Sequence, residues 1–135
     1  MREILFRAKS NYGNVGEWEY GLVAQPHVTE NGIVTSYYFT KICENGWTSQ
    51  RTVSANTIGQ YTGLTDKNGT KIFEDDFAKN IDGLFLVCWD KEKSAFVMRF
   101  QEYPYETLYL EEMWEDSEVI GNIHDNPELL KGGAE

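Results

Sequence analysis

Long apolar runs, cysteine, histidine, proline and positive charge are all scarce in this sequence, and each shortage closes off a class of function. The longest uninterrupted apolar stretch, Leu84 to Trp89, is only six residues, against about 20 for a helix that crosses a bilayer. No membrane span is expected. The opening residues Met1 to Arg7 offer neither an extended apolar segment nor a small-residue cleavage site. No signal peptide is therefore expected, and the default compartment is the cytoplasm. The two histidines, His27 and His124, stand far apart, and neither has a Cys or a second His at metal-ligand spacing. Cys43 and Cys88 each sit in a strand-like apolar run and read as reduced, buried thiols, with a disulfide as the alternative. The G-x-S-x-G nucleophile elbow is missing as well. The expectation is a protein that is not an enzyme, with no catalytic residue, no metal and no cofactor.

What is present suffices for a folded core. Of 135 residues, 41% are hydrophobic and 14% aromatic, which is too apolar for a disordered chain and sized for one domain or two small lobes. The net charge of −10 is unevenly spread. Residues 1–101 carry 12 acidic against 11 basic side chains, while residues 102–135 carry 10 acidic side chains and only Lys131. This C-terminal quarter reads as a solvated acidic face, or as one that attracts a basic partner. Binding to a phosphate backbone needs clustered Lys and Arg, which this quarter does not have.

The first two-thirds read as strands. Glu17 to Val23 alternates, with Trp18, Tyr20 and Leu22 on one face and Glu17, Glu19 and Gly21 on the other, so a half-buried strand is expected, closed by Pro26. Residues 33–53 read as a β-hairpin turned at Asn45-Gly46. Leu84 to Trp89 and Ala95 to Phe100 read as the arms of a second one. Short strands with frequent turns suggest a barrel or a small sandwich. After Pro104 the pattern changes: Tyr105 to Asp116 fits one helix, Ser117 to Ile123 returns to strand, and Asn126-Pro127-Glu128 is a helix start stopped by Gly132-Gly133.

The stretch GLTDKNGTKIFEDD, Gly63 to Asp76, is the densest in chemistry-bearing residues. As a calcium loop starting at Asp66 it puts Lys71 where the template needs glycine, and moving Gly69 to that place puts Leu64 where a carboxylate is required. As a phosphate loop it has Asn68 where the second glycine belongs. A turn has a positive mechanism: Asp66 makes an Asx turn, and Asn68-Gly69 supplies left-handed backbone. Glu74, Asp75 and Asp76 could form a carboxylate pair for acid/base work, but read better as exposed turn acids. Trp18, Tyr20, Trp47, Arg51 and Tyr61 are the candidate binding surface, because aromatics among basic residues can stack the bases of single-stranded nucleic acid. The competing reading places these aromatics in the core.

Four segments resemble the YopX family of phage and prophage proteins. Ile4 to Lys9 with Glu17-Trp18-Glu19-Tyr20-Gly21 is similar to the family's opening "R-G-K … G-x-W-x-Y-G". Thr57 to Glu74 resembles "TVGQYTGLKDKNGKKIYEGD", Trp89-Asp90 a strand-end signature, and Val119 to Leu130 the closing "EVIGNIYENPELL". Ala8 and Asp75 stand where glycine is expected, and His124 where an aromatic is. The resemblance implies a protein made inside a bacterial host cell and an SH3-like barrel opening at Gly59 to Lys79, continuing through 84–100 and 117–123. The expected fold is thus mainly β: an N-terminal β lobe (1–56), then a C-terminal SH3-like small β-barrel with an acidic end (57–135), one or two short helices near the C-terminus, and the whole one compact unit. The expected function is a non-catalytic protein-interaction module, a homo-oligomer or bound to a host or phage protein. The alternative is a single-stranded nucleic-acid-binding small β-barrel.

Overall fold

A computed structural model of the chain describes residues 3–103 and 107–130. Two compact units divide it, 1–60 and 61–135. The first unit contains β1 (Phe6–Lys9), β2 (Trp18–Val28), β3 (Val34–Ile42) and β4 (Thr48–Ser54), followed by a 3-10 turn, Ala55–Thr57. Strand β5 (Gly59–Thr65) straddles the boundary. Its first residues pair with β1, and Tyr61 and Thr65 pair with β6 (Lys71–Phe73), giving the sheet order β4-β3-β2-β1-β5-β6. The second unit adds β7 (Asp76–Asn80), β8 (Gly83–Asp90), β9 (Ala95–Phe100), β10 (Thr107–Tyr109) and β11 (Glu118–Asn122), in the order β10-β9-β8-β7-β11. Every pairing is antiparallel. The fold is mainly β, as the strand-rich sequence implies.

The SH3-like barrel expected for the second unit is not found: β10 and β11 are the two edges of an open sheet, and among the described residues no barrel closes. β10 is too short to reach further, because the chain leaves it after Tyr109 for a single α-helical turn, α1 (Leu110–Met113). That geometry also replaces most of the helix expected at 105–116. Thr107, Leu108 and Tyr109 pair with Arg99, Met98 and Val97, so the sheet edge claims them, and only α1 and a 3-10 turn, Trp114–Asp116, remain helical. Pro104 to Glu106 lie outside the described residues. The helix start at Asn126 is one 3-10 turn, Pro127–Leu129, and the Asn126 side chain does not cap it. Its Oδ1 instead accepts the Asn122 amide at 3.2 Å. Gly132-Gly133 lies outside the described residues.

In the first unit the alternation of residues 17–23 is real, but glycine decides which face packs. Gly21 is buried, whereas Tyr20 and Leu22 are exposed. A Cβ on Gly21 would stand 2.6 Å from the Thr40 carbonyl oxygen, a backbone atom that has no rotamer by which to move away. Bare backbone thus lets β3 close on β2. Gly21→Ala is expected to destabilise the protein by about 2 kcal/mol, read as a lower denaturation midpoint with an unchanged slope. Pro26 does not close β2: the strand runs on to Val28, with Pro26 opposite Tyr37. It sits between two bulges, on the part of β2 that β1 does not reach, where a missing N–H is tolerated.

Each unit has its own core. In the first, Ala8, Phe39 and Val53 are buried, with Phe6, Val23, Tyr37 and Ile58 packed partly buried around them. In the second, Ile72, Ala78, Phe85, Val87, Met98, Phe100 and Leu110 form a larger cluster.

Candidate interaction surface

Register places the side chains of the first unit's outer face. Lys9 lies opposite Trp18 and Arg7 opposite Tyr20. Leu22 lies opposite Thr40, which in turn faces Gln50, and Ile42 lies opposite Thr48. Residues two apart on a strand share a face, so Trp18, Tyr20, Leu22 and Ile42 make one apolar stripe bounded by Arg7, Lys9, Thr48 and Gln50. Tyr20 is 43% exposed, Leu22 46% and Ile42 72%. Both cations stand over Trp18: the Arg7 guanidinium carbon is 4.5 Å and the Lys9 Nζ 4.8 Å from its ring. They hold that ring half-buried at the edge of the stripe.

The five candidate surface residues therefore separate. Trp18 and Tyr20 share the outer face. Trp47 stands at the tip of the β3–β4 hairpin, 75% exposed, its amide bonded to Asn45 Oδ1 and its carbonyl to the Cys43 amide. Arg51 pairs with Phe39 in register and so points to the other face, and it lines a cavity of about 400 Å³ together with Tyr12 and Glu19. Tyr61 belongs to the second unit and is buried, its ring 5.6 Å from Phe73 and 5.5 Å from the Lys71 ammonium. Leu22 and Ile42, which complete the stripe, were not among the candidates. The alternation of 18–22 could have indicated Leu22, but the β2–β3 register that brings Ile42 beside it is not local.

The turn residues of the second unit converge on one carboxylate. Asp66 Oδ1 accepts the amides of Asn68 at 2.8 Å and Thr70 at 2.9 Å, and Gly69, at φ +83°, returns its amide to the Asp66 carbonyl. Oδ2 accepts the Val119 amide at 2.9 Å, and the Lys67 amide donates to the Ser117 carbonyl, tying this turn to β11. Burial alone would raise the Asp66 pKa. The bonds from Val119, Thr70 and Asn68, with Lys67 nearby, outweigh it and hold the carboxyl below its ordinary value.

The other reactive side chains have different environments. Burial pushes the Cys88 thiol up to about 11, with Arg99 opposing and Asp75, Glu74 and Asp90 adding to the rise. It stays protonated at neutral pH and is a poor nucleophile. Cys43 is a free thiol too. Asp76 is buried rather than an exposed turn acid, and accepts the Phe73 amide at 2.7 Å. Asp75 adopts a left-handed φ of 73° and sets its Oδ2 3.4 Å from His124 Nε2. The glycine expected at Asp75 and the aromatic expected at His124 are thus replaced by a contacting pair. His27 Nδ1 lies 2.9 Å from the Tyr38 hydroxyl, in the first unit. A cavity of about 430 Å³ in the second unit is walled by Thr62, Leu64, Lys93, Phe96, Tyr109 and Glu111. There the Lys93 ammonium lies 5.4 Å from the Tyr109 ring.

Two antiparallel sheets, a core in each unit and a solvent-facing apolar stripe define a mainly β protein whose distinctive feature is a surface. The chain belongs to the YopX family, whose profile, described as YopX protein, matches residues 5–131. It is similar to the crystal structure of protein EF1440 from Enterococcus faecalis, with a TM-score of 0.52 and 23% sequence identity over 97% of this chain and 100% of that one. That likeness is one of fold. No curated protein matches the sequence.

Proposed function

We propose that this chain is a non-catalytic protein-interaction module of phage or prophage origin, working in the cytoplasm of a bacterial host and docking through the outer face of its first unit. One observation carries the reading. Tyr20, Leu22 and Ile42 stand exposed side by side on a sheet whose other face fully buries only Ala8, Phe39 and Val53 among its apolar residues. A unit of about 60 residues that leaves such side chains in water gains from a partner that covers them. The raised thiol of Cys88 fits a non-catalytic role.

The nucleic-acid alternative draws less support. A base needs an open aromatic face beside cations that can reach phosphate, yet Arg7 and Lys9 both stand over Trp18, and Tyr61 is buried. The test is affinity capture from bacterial lysate, with and without nuclease, using the wild type and a Tyr20→Glu, Leu22→Glu variant. The expected result is co-purifying polypeptide, whether its own copy or another protein, that survives nuclease and is lost from the variant. Capture that the variant retains in full, or that nuclease abolishes, would refute the reading.

A further inference from the structure

We infer that the open half of β4, from Thr48 to Arg51, is a strand-addition site, where an extended segment of a partner polypeptide pairs antiparallel and lengthens the sheet of the first unit. This edge is separate from the stripe of Tyr20, Leu22 and Ile42, which lies on β2 and β3.

The chain itself demonstrates that this edge accepts a strand. β4 ends its sheet, and its far end is covered: Ser10 bridges Val53 antiparallel, and the Asn11 amide donates to the Thr52 carbonyl at 3.1 Å. The chain then turns away. The Ser10 carbonyl accepts the Gly16 amide at 2.9 Å, with Gly13 at φ +78° and Gly16 at φ +90°, left-handed backbone that glycine adopts without strain. Along an antiparallel ladder, main-chain groups point alternately toward the partner strand and away from it. Thr52 presents its carbonyl away from β3, and so Gln50 and Thr48 present their N–H and C=O groups the same way. The Cys43 amide bonds the Trp47 carbonyl across the hairpin, which fixes the same alternation from the other end. At Gln50 the outward carbonyl holds a substitute donor, the guanidinium of Arg51 at 3.2 Å.

The edge is also regular and unguarded. Natural sheets blunt exposed edges with bulges, proline, charged side chains or very short strands. Here β3 and β4 pair through seven consecutive positions, from Ser36–Ser54 to Ile42–Thr48, without a register shift, and Thr48 to Gln50 includes no proline or charge. The other sheet edges are short or covered. β6 and β10 have three residues each, and at β11 the Val119 amide and the Ser117 carbonyl are taken up by Asp66 and Lys67. A row of alternating main-chain donors and acceptors is complementary to another extended backbone, which neither a nucleic acid nor a small solute provides.

Side chains beside the edge set what the segment carries. In the register that Ser10 and Asn11 begin, its residues fall opposite Arg51, Gln50, Ser49, Thr48 and Trp47 in turn. The residue opposite Arg51 lies against the cavity of about 400 Å³ walled by Tyr12, Glu19 and Arg51. One cation and one carboxylate there suit a side chain that both donates and accepts, an amide or a hydroxyl. Four residues later the same face of the segment meets Trp47, 75% exposed, where an apolar side chain fits. A second copy of β4 fits less well. In the register that pairs Thr48 with Gln50 of that copy, its Gly46 falls opposite Thr52, the position Asn11 holds.

Selection of displayed random peptides of about ten residues, a full strand's length, on the purified full chain tests this. Recovered peptides are expected to carry an amide or hydroxyl side chain four positions before an apolar one, and to slow hydrogen exchange at the Gln50 and Thr48 amides. N-methylating a peptide at the residues that donate to β4 should abolish binding, whereas N-methylation one residue along should not. Gln50→Pro removes an N–H that points away from β3, a change that a sheet edge tolerates. It is expected to weaken binding about tenfold or more, with unchanged far-UV circular dichroism. Arg51→Glu keeps the backbone groups and leaves two carboxylates at the cavity, so peptides selected on it should carry lysine or arginine in place of the amide or hydroxyl. Tyr20→Glu with Leu22→Glu should bind the wild-type peptides undiminished. Strand addition is overturned if no binding peptide is recovered, or if binding survives both Gln50→Pro and N-methylation. Protection on β6, β10 or β11 instead, or an unchanged preference on Arg51→Glu, overturns it as well. So does a wild-type dimer in sedimentation that Gln50→Pro abolishes, because the slot then belongs to a second copy.

Discussion

Asp66→Ala is expected to cost about 3 kcal/mol or more and to unfold the second unit well before the wild type in urea. Its carboxylate is buried and takes three backbone amides, two inside its own turn and one from Val119. Truncation leaves Asn68, Thr70 and Val119 without that acceptor, and a buried donor stripped of its partner loses the water it gave up on folding. Asp66→Asn separates the parts. It is isosteric and keeps one carbonyl oxygen, but it turns an NH₂ group either toward Val119 or toward the turn amides. A loss of about 2 kcal/mol is expected.

The same group sets a pH dependence whose sign is fixed. Asp66 is held below its ordinary value of 3.8 in the folded protein and returns to it on unfolding. Its contribution is present in full above that unfolded-state value and is lost as pH falls through the lower, folded one. The stability gap between wild type and Asp66→Asn should therefore be constant at neutral pH and narrow only below about pH 4. Equilibrium unfolding of both proteins between neutral pH and acid measures it. A gap that narrows near pH 6 instead would assign the effect to another group.

Asp66 also shows which parts of this structure are legible in the sequence. Its Asx turn is a matter of four consecutive residues, so Asp66, Asn68 and Gly69 could be read directly. Its bond to Val119 spans 53 positions, and nothing local announces it. Alternation along Trp18 to Leu22 gave the strand, but burial was decided by the close approach of Thr40 to Gly21, a fact about β3. Tyr61 looked like Trp18 and Tyr20 in composition, yet β5 turns it toward Phe73. Helical spacing in 105–116 lost to the edge of β9, which pairs with residues 107–109. Asp75 went the other way: the family likeness expected a glycine there, and the backbone is left-handed at that residue. Short-range chemistry was readable, and pairings between distant segments were not.

Phe39→Ala is expected to have the largest effect in the first unit, about 3–5 kcal/mol. Phe39 is 1% exposed and is the largest of the three fully buried residues there; the other two are Ala8 and Val53. Val23 lies opposite it in register, and its removal opens a void that neither Ala8 nor Val53 is large enough to fill. That core has no second large side chain that is fully buried, only the partly buried Phe6, Val23, Tyr37 and Ile58 around it, unlike the cluster of the second unit, where Phe85, Met98 and Phe100 adjoin. Loss of protection should therefore be local, and hydrogen exchange resolves it strand by strand. Amides of β2, β3 and β4 are expected to exchange much faster in the variant, while those of Val87 and Met98 in β8 and β9 stay slow. The stripe of Tyr20, Leu22 and Ile42 is carried by the strands that Phe39 holds together, so capture of polypeptide from lysate through that face should weaken along with that protection. Equal acceleration in β8 and β9 would mean that the two cores unfold as one, and Phe39 would then be reporting on the whole chain rather than on the unit that carries the face.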